Sequence, residues 1–264
     1  MSPAGRPKGE QRSAQREGTP VTHPAPAGTG NFDRGELAKF SALAHHWWDP
    51  DSTMFSALHK VNPLRLAWVE AAAGGLDGKR VVDVGCGGGI LSEAMAARGA
   101  KVLGIDLADK PLGVAKLHRL ESGAAVDYRL VAAEALAAEA PGSFDVVTCM
   151  ELLEHVPDPA STISACAALV RPGGTVVVST INRNPKSYLF AVLGAEYVLG
   201  LLPKGTHDYA KFVRPAEVSG WARAAGLVTR RVEGIGYNPF TRTFRLQPDT
   251  TVNYLVAFAR PADA

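Results

Sequence analysis

The chain has 264 residues, of which 46% are hydrophobic, and its formal net charge at pH 7 is +2. The length suits one α/β domain with an appendage, and the small net charge gives no indication of a nucleic-acid partner. No apolar run reaches the roughly 18 residues that span a bilayer, and the first thirty residues contain no apolar core of a signal peptide. The cysteines lack metal-ligand spacing, which predicts reduced thiols in a cytoplasmic protein: Cys86, Cys149 and Cys166.

The N-terminal segment differs in composition from the rest of the chain. Residues 1–30 are rich in Pro, Gly, Ser, Thr and Ala and show no apolar periodicity, which predicts a disordered tail. An organelle transit peptide is the alternative, although the prolines and glycines would interrupt its amphipathic helix. A single domain is predicted over residues 31–264.

A helical cap is predicted at the start of this domain, over about residues 31–75. Its first helix has apolar residues at helical spacing, and Asn62-Pro63 is expected to open a second helix that ends near Gly74-Gly75. The two helices are separated by His45-His46-Trp47-Trp48. These four side chains form either a lid over a substrate or aromatic packing on the core.

The next part of the chain alternates between strands and helices, as expected of a doubly wound sheet. Strands are predicted at residues 80–84, 101–105, 126–130, 144–149, 175–180, 228–233 and 252–260, with helices at 90–98, 110–122, 159–170 and 218–225. The fold class is therefore α/β, a Rossmann-like sheet of seven strands with helices on both faces. The last strand is expected to close the sheet antiparallel to the others.

An insertion separates the fifth and sixth predicted strands, over about residues 182–212. Its centre, residues 188–202, is almost entirely apolar, and basic residues flank it: Arg183, Lys186, Lys204 and Lys211. Such a segment is typical of an interfacial membrane anchor or a hydrophobic substrate lid. A pair of buried core helices is the alternative. His207-Asp208 either lines a substrate pocket or forms a surface turn.

The glycine-rich turn after the first strand is the strongest functional signal. Gly85, Gly87 and Gly89 allow backbone N–H groups to approach a ligand closely. Asp106 follows the second strand about twenty residues later, where an acid can hold ribose hydroxyls. The two features together predict an adenosine-containing cofactor.

The order of the glycines indicates which cofactor this is. The dinucleotide fingerprint G-x-G-x-x-G is not completed, because Ile90 occupies the third glycine position. The observed order Asp-x-Gly-x-Gly-x-Gly, which begins at Asp83, is similar to the first motif of S-adenosylmethionine (SAM) methyltransferases. Asp83 either accepts a hydrogen bond from the ammonium group of SAM or only stabilises the turn. Glu134, just after the third strand, is a further candidate for cofactor binding.

The chemistry of the site is predicted at residues that follow the fourth strand. Glu151, Glu154 and His155 are expected to share one face of a helical turn at the carboxyl end of the sheet, where ligands bind. Either His155 is a general base whose pKa the two glutamates tune, or all three bind a cation such as Mg²⁺. A third alternative is that one or both glutamates cap or orient nearby backbone.

These motifs resemble one family closely, the ubiquinone biosynthesis O-methyltransferases, from about residue 31 to the C-terminus. The specific matches are Asn62-Pro63-Leu64-Arg65, Leu153-Glu154-His155-Val156, Asn182-Arg183-Asn184 and Pro203-Lys204-Gly205-Thr206-His207-Asp208. The resemblance implies a class I methyltransferase fold, with SAM contacts at Arg65, Gly85, Asp106 and Met150. It also implies a magnesium role for Glu151, Glu154 and His155.

The same resemblance implies the substrates and the surroundings of the protein. A polyprenyl catechol and a 3-demethylubiquinol would each be methylated on a phenolic hydroxyl. Because a polyprenyl tail resides in a membrane, the apolar stretch 188–202 is expected to contact the inner membrane peripherally from the cytoplasm. A complex of ubiquinone-biosynthesis proteins is a further expected partner.

Three other functions stay open on the sequence alone. They are a SAM methyltransferase with another acceptor such as a carbon, a SAM-binding scaffold subunit without activity, and an NAD-binding oxidoreductase. The apolar insertion argues against a soluble acceptor. The joint presence of Glu151, Glu154 and His155 argues against an inactive scaffold.

Overall fold

The computed structural model describes residues 1, 30–49, 52, 55–187, 209–238, 240–241 and 243–262. The predicted disordered tail, apart from its first and last residues, lies outside these ranges. The apolar stretch 188–202 and the His207-Asp208 pair also lie outside them. Within the described ranges, no helix is both long and apolar enough to cross a membrane.

The described residues form one sheet of eight strands in the order β3-β2-β1-β4-β5-β8-β6-β7. The strands are β1 (Arg80–Val84), β2 (Lys101–Asp106), β3 (Val126–Leu130), β4 (Phe144–Met150), β5 (Val170–Ile181), β6 (Val228–Asn238), β7 (Thr243–Gln247) and β8 (Asn253–Ala259). Strands β1 to β5 pair in parallel, whereas β8 runs antiparallel to both β5 and β6. The predicted α/β class and the antiparallel last strand are confirmed.

Helices cover both faces of this sheet, as predicted. They are α1 (Arg34–Leu43), α2 (Ser56–Ala73), α3 (Ile90–Ala96), α4 (Asp109–Ser122), α5 (Ala133–Glu139), α6 (Pro159–Leu169), α7 (Pro185–Ser187) and α8 (Pro215–Ala224). Side chains of β5 alternate between the faces, so Val176 and Val178 pack in one core and Val177 in the other. Helices α5, α6 and α8 bury apolar side chains in the first core, and α2, α3 and α4 do so in the second. Full burial of one aliphatic side chain contributes about 1.5–3 kcal/mol.

The sheet has one strand more than predicted, because β7 pairs with β6 as an antiparallel hairpin at the edge. Phe244 and Leu246 alternate with polar residues in β7, but the strand is only 5 residues long, so its local signal is weak. The last strand, β8, lies between β5 and β6, so β7 forms the edge. β5 also begins earlier than the predicted residue 175, at Val170, and passes through Pro172.

Pro63 lies inside α2 and does not open it, contrary to the prediction. Proline has no N–H to donate to the carbonyl of His59, so the helix lacks one hydrogen bond there. The helix nevertheless begins at Ser56, because Val61 and Leu66 on either side of the proline are buried in the core. Tertiary packing outweighs the local signal at this position.

Candidate active site

A cavity of about 970 Å³ opens at the carboxyl ends of β1, β2 and β4. It is lined by the glycine loop that follows β1, by α1 and the segment after it, and by residues of the β6–β7 hairpin. Small-molecule sites have volumes of about 300–1,000 Å³, and open α/β sheets bind ligands at this edge. The cavity therefore has both the size and the place of a ligand site.

The glycine loop and Asp106 meet on one side of this cavity. Gly85 and Gly87 have φ values of 73° and 53°, in the left-handed region that glycine adopts without strain. Asp106 accepts hydrogen bonds from the backbone N of Gly87 at 2.8 Å and of Ala108 at 2.7 Å. Burial raises the pKa of Asp106 above its usual value. The structure thus brings these predicted cofactor residues together, and their contact with SAM stays a prediction.

Asp83 is buried beside the loop and uses both carboxyl oxygens within the protein. Its Oδ2 accepts a hydrogen bond from Ser92 Oγ at 2.6 Å, and its Oδ1 accepts one from Thr148 Oγ1 at 2.6 Å. Burial raises the pKa of Asp83 to about 6, although both hydrogen bonds oppose this shift. Because the two oxygens join α3 and β4 to β1, this geometry supports the alternative that Asp83 stabilises the turn.

Arg65 in α2 lines the cavity with a partly buried guanidinium group. Its Nη2 donates to Glu151 Oε1 at 2.8 Å. Its Nε is buried and has no hydrogen-bond partner in the part of the chain that the structure describes. A buried donor without a partner is costly, and a carboxylate is the group that best satisfies a guanidinium. The site therefore fits the carboxylate at the amino acid end of SAM.

Two further predicted cofactor residues, Met150 and Glu134, also line the cavity. Met150 is the last residue of β4. Glu134 Oε1 accepts hydrogen bonds from Asn31 Nδ2 at 2.9 Å and from Ser161 Oγ at 3.0 Å. Glu134 thus connects the start of the domain to α6, and its contact with a cofactor stays a prediction.

Glu151, Glu154 and His155 do not share one face of a helical turn, contrary to the prediction. Glu151 has a φ of 49°, and only Leu153–His155 form a short 3₁₀ turn. The expectation of a shared face needed a continuous α-helix, which the left-handed residue prevents. Glu151 Oε1 accepts hydrogen bonds from Arg65 and, at 2.7 Å, from Ser179 Oγ.

Glu154 is more deeply buried than Glu151 and is 3% exposed. Its Oε2 accepts a hydrogen bond from Thr180 Oγ1 at 2.6 Å, while its buried Oε1 has no partner among the residues described. Burial, followed by the charge of Glu151, raises the pKa of Glu154 to about 7. A carboxyl group with this pKa can hold a proton near neutral pH.

His155 lies against the cavity and pairs with Glu36 of α1. Its Nδ1 is 3.0 Å from Glu36 Oε2, and its ring meets Phe40 edge-on with centroids 5.0 Å apart. Burial lowers the pKa of His155, but the hydrogen bond to Glu36 and the charge of Glu154 outweigh this, so the pKa is raised. The same hydrogen bond is the main cause that lowers the pKa of Glu36 to about 2.

The three predicted magnesium ligands do not form a set that fits a cation in this geometry. Glu151 is paired with the positive charge of Arg65, and His155 presents Nδ1 to Glu36. Across the described ranges, no group of three or more His, Cys, Asp or Glu side chains could hold a metal ion. We derive no step through a metal, and the magnesium role stays a prediction that a chelator tests.

Trp47 and Trp48 lie against the glycine loop. Of the two alternatives for residues 45–48, a substrate lid or aromatic packing, this position supports packing for the two tryptophans. A Cβ atom added to Gly87 or Gly88 would lie 2.3 Å or 2.2 Å from the Trp47 ring. Trp48 Nε1 donates to the carbonyl of Gly88 at 2.8 Å. The tryptophans thus pack on the loop, whereas the preceding His45-His46 pair is exposed.

Sequence reasoning missed Glu36, which the structure brings to the site. A single glutamate on an amphipathic helix is normally solvated, and its distant partners His155 and Lys211 leave no local signal. The short spacing between Asp33, the N-cap of α1, and Glu36 predicts a helix start only.

Comparisons with known proteins agree with this architecture. A family model described as a methyltransferase domain matches residues 57–232. The magnesium protoporphyrin IX methyltransferase of Synechocystis PCC 6803, solved with bound SAH, is similar with a TM-score of 0.63 and 20% identity, over 84% of this chain and 94% of that one. A possible histamine N-methyltransferase of Thermotoga maritima is similar with a TM-score of 0.61 and 15% identity, over 85% and 99%. The chain has the class I fold of SAM-dependent methyltransferases, and it is a methyltransferase.

Curated relatives narrow this class. The ubiquinone biosynthesis O-methyltransferase of Ralstonia nicotianae is 65% identical over 231 residues, which are 88% of this chain and 96% of the relative. That of Pseudomonas aeruginosa strain LESB58 is 61% identical over 232 residues, or 88% and 99%. The chain belongs to the ubiquinone biosynthesis O-methyltransferase family, as its motifs predicted.

Proposed function

We propose that this protein transfers a methyl group from SAM to a phenolic hydroxyl in two reactions of ubiquinone biosynthesis. The acceptors are a polyprenyl catechol and 3-demethylubiquinol. The main observation behind the proposal is that one cavity contains the glycine loop, Arg65 and His155, so donor and acceptor can bind next to each other. Membership of the family supports the choice of acceptor.

The residues on one side of the cavity suit the donor. When bound, SAM supplies a sulfonium methyl group as the electrophile. Arg65 would hold its carboxylate through the unpaired Nε, and Asp106 would hold the ribose hydroxyls. Asp106 has capacity for this, because a carboxylate accepts about four hydrogen bonds and the protein supplies three backbone donors, at Gly87, Leu107 and Ala108.

His155 suits the acceptor as a general base. A phenol has a pKa of about 10, like tyrosine, so it is neutral and a poor nucleophile at pH 7. Because His155 Nδ1 faces Glu36, Nε2 is the ring nitrogen left to take the phenolic proton. The O–C bond then forms as the C–S bond breaks, which leaves a methyl ether and a neutral thioether. The Glu36 carboxylate stabilises the imidazolium that results.

Methyl transfer tests this proposal directly. The purified protein, given SAM with a labelled methyl group and a short-tailed demethylubiquinol, is expected to label the quinol. His155→Ala should lower turnover about 10²–10⁴-fold without changing the Kd for SAM, whereas His45→Ala, at an exposed histidine, should not. No transfer by a protein that binds SAM would contradict the proposal.

A chelator arm decides the magnesium prediction in the same assay. Loss of transfer in EDTA with recovery in Mg²⁺ would support a metal role for Glu151, Glu154 and His155. Transfer that is unchanged by EDTA would support His155 as a base that acts without a metal.

The proposal includes peripheral contact with the inner membrane through residues 188–202, and a complex with other ubiquinone-biosynthesis proteins. The apolar composition of this stretch, its basic flanks and the polyprenyl tail of the substrate support the membrane contact. Native protein is expected to sediment with anionic lipid vesicles, and a variant that lacks residues 188–202 is not. Equal sedimentation of the two would contradict this part.

The domain division is part of the same proposal. Residues 31–264 act as one methyltransferase domain, and residues 1–30 form a disordered tail. A chain that begins at residue 31 is therefore expected to keep the turnover and the Kd for SAM of the whole protein. A loss of turnover on removal of the tail would contradict the division.

A further inference from the structure

We propose that Glu36 is a positioning residue for His155, which fixes the orientation and tautomer of the imidazole so that Nε2 faces the acceptor hydroxyl. This inference rests on the proposed function, in which His155 acts on the acceptor. The two residues are 119 positions apart in the chain, and α1 brings one to the other.

The burial of Glu36 is the first supporting observation. It is the one buried residue of α1, and it is 7% exposed. A buried carboxylate costs free energy unless it is paired, so a helix that only covered the core would favour an apolar side chain there. The partners of Glu36 therefore explain its presence.

The two carboxyl oxygens of Glu36 have different partners. Oε1 accepts hydrogen bonds from Lys211 Nζ at 3.2 Å and from Lys39 Nζ at 3.3 Å, whereas Oε2 lies 3.0 Å from His155 Nδ1. Lys211 also donates to Oδ2 of Asp33, the N-cap of α1, at 3.1 Å. One oxygen thus joins α1 to the 3₁₀ turn Tyr209–Lys211 at the end of the insertion, and the other contacts the histidine.

This arrangement determines which ring nitrogen carries the proton. A carboxylate between two ammonium groups is ionised and can only accept hydrogen bonds, so His155 Nδ1 must be the donor. The neutral ring then has a bare Nε2. Phe40, one turn further along α1, contacts the ring edge-on, with an angle of 87° between the planes. The helix therefore holds the imidazole at two points.

The tautomer can be measured without any assay of activity. Side-chain ¹⁵N NMR of the neutral histidine, assigned with His155→Ala, should show a protonated Nδ1 in the native protein. Glu36→Gln, whose amide oxygen still accepts, should keep this tautomer, and Glu36→Leu should shift the ring towards a protonated Nε2. An unchanged tautomer in Glu36→Leu would overturn the inference.

Kinetics then separate positioning from a merely structural role. Glu36→Leu should lower kcat at least about 10-fold, and by up to the ~10⁴-fold seen when the aspartate partner of a catalytic histidine is neutralised in serine proteases. The Kd for SAM should not change, and Glu36→Gln should keep more activity. Glu70→Gln, which neutralises a carboxylate paired with Arg98, is the matched control and should keep the native kcat.

The decisive comparison uses the background that lacks the base. In His155→Ala, Glu36→Leu should cause no further loss of kcat, since Glu36 acts through His155. An equal fold-loss in both backgrounds would overturn the inference while the proposed function stands. No transfer by the native protein would overturn the proposed function, and the tautomer measurement still decides whether Glu36 positions the ring.

Discussion

The carboxyl groups around the cavity show that partners, more than residue type, decide the protonation state. Burial raises the pKa of Asp83 to about 6 and that of Glu154 to about 7. Glu36 is also buried, yet the hydrogen bond from His155 lowers its pKa to about 2. The hydroxyl groups that bond Asp83 and Glu154 lower the pKa less than burial raises it. The cations beside Glu36 lower its pKa more than burial raises it.

Asp83→Asn should make the ligand-free protein more stable at pH 7.5. The folded state holds a proton on Asp83 up to about pH 6 and the unfolded state only to about pH 4, so this group lowers stability as pH rises through that window. Asparagine does not ionise and can still form hydrogen bonds with the hydroxyls of Ser92 and Thr148. The free energy of unfolding should therefore rise by about 1–3 kcal/mol at pH 7.5 and stay nearly the same at pH 4. Urea unfolding at both pH values measures this. A gain in stability over the native protein that is smaller at pH 7.5 than at pH 4 would contradict this prediction.

Arg65→Met should weaken binding of SAM without unfolding the protein. A hydrogen bond to a charged group contributes about 1.5–3 kcal/mol, which corresponds to roughly a 10- to 100-fold higher Kd. Isothermal titration measures the effect. Arg98→Met, at a more exposed arginine paired with Glu70, is the control and should bind SAM as the native protein does. Equal Kd values for SAM in the two variants would show that Arg65 does not bind SAM.

At the scale of elements, the sequence predicts best where the signal is local. β1 is mostly apolar and β3 alternates apolar with polar residues, and both strands have the predicted bounds. The start of α2 could not be predicted, because the local signal of Pro63 is overridden by packing that only the folded chain provides. β7 was missed because its pairing with β6 gives it stability that its short sequence does not encode alone.

The contact between the aromatic segment and the glycine loop gives a prediction at this scale. Gly88→Ala should lower the free energy of unfolding by about 1–3 kcal/mol, because the new Cβ would meet the Trp47 ring. In a Trp47→Ala background the same change should cost far less, since the ring is absent. Gly113→Ala, in α4 with open space around it, is the control and should be neutral or slightly stabilising. An equal cost of Gly88→Ala in both backgrounds would show that Trp47 does not press on the loop.

At the scale of the whole molecule, the site combines parts that are far apart in the chain. The sequence predicts the glycine loop, Asp106 and the residues after β4, because their motifs are local. It does not predict that α1 supplies Glu36 to His155, since that contact exists only after the cap packs on the sheet. The wrong expectation for Glu151 has the same origin, because its side chain accepts hydrogen bonds from Arg65 and Ser179, which are distant in the chain.

The position of the transferred methyl group tests the central claim most directly. The protein would be incubated with SAM that carries a ¹³C methyl group and with a short-tailed demethylubiquinol, and the product examined by NMR. A phenolic oxygen activated at His155 predicts a single ¹³C methoxy signal on the ring oxygen. A methyl group on a ring carbon, or no product from a protein that binds SAM, would contradict the account.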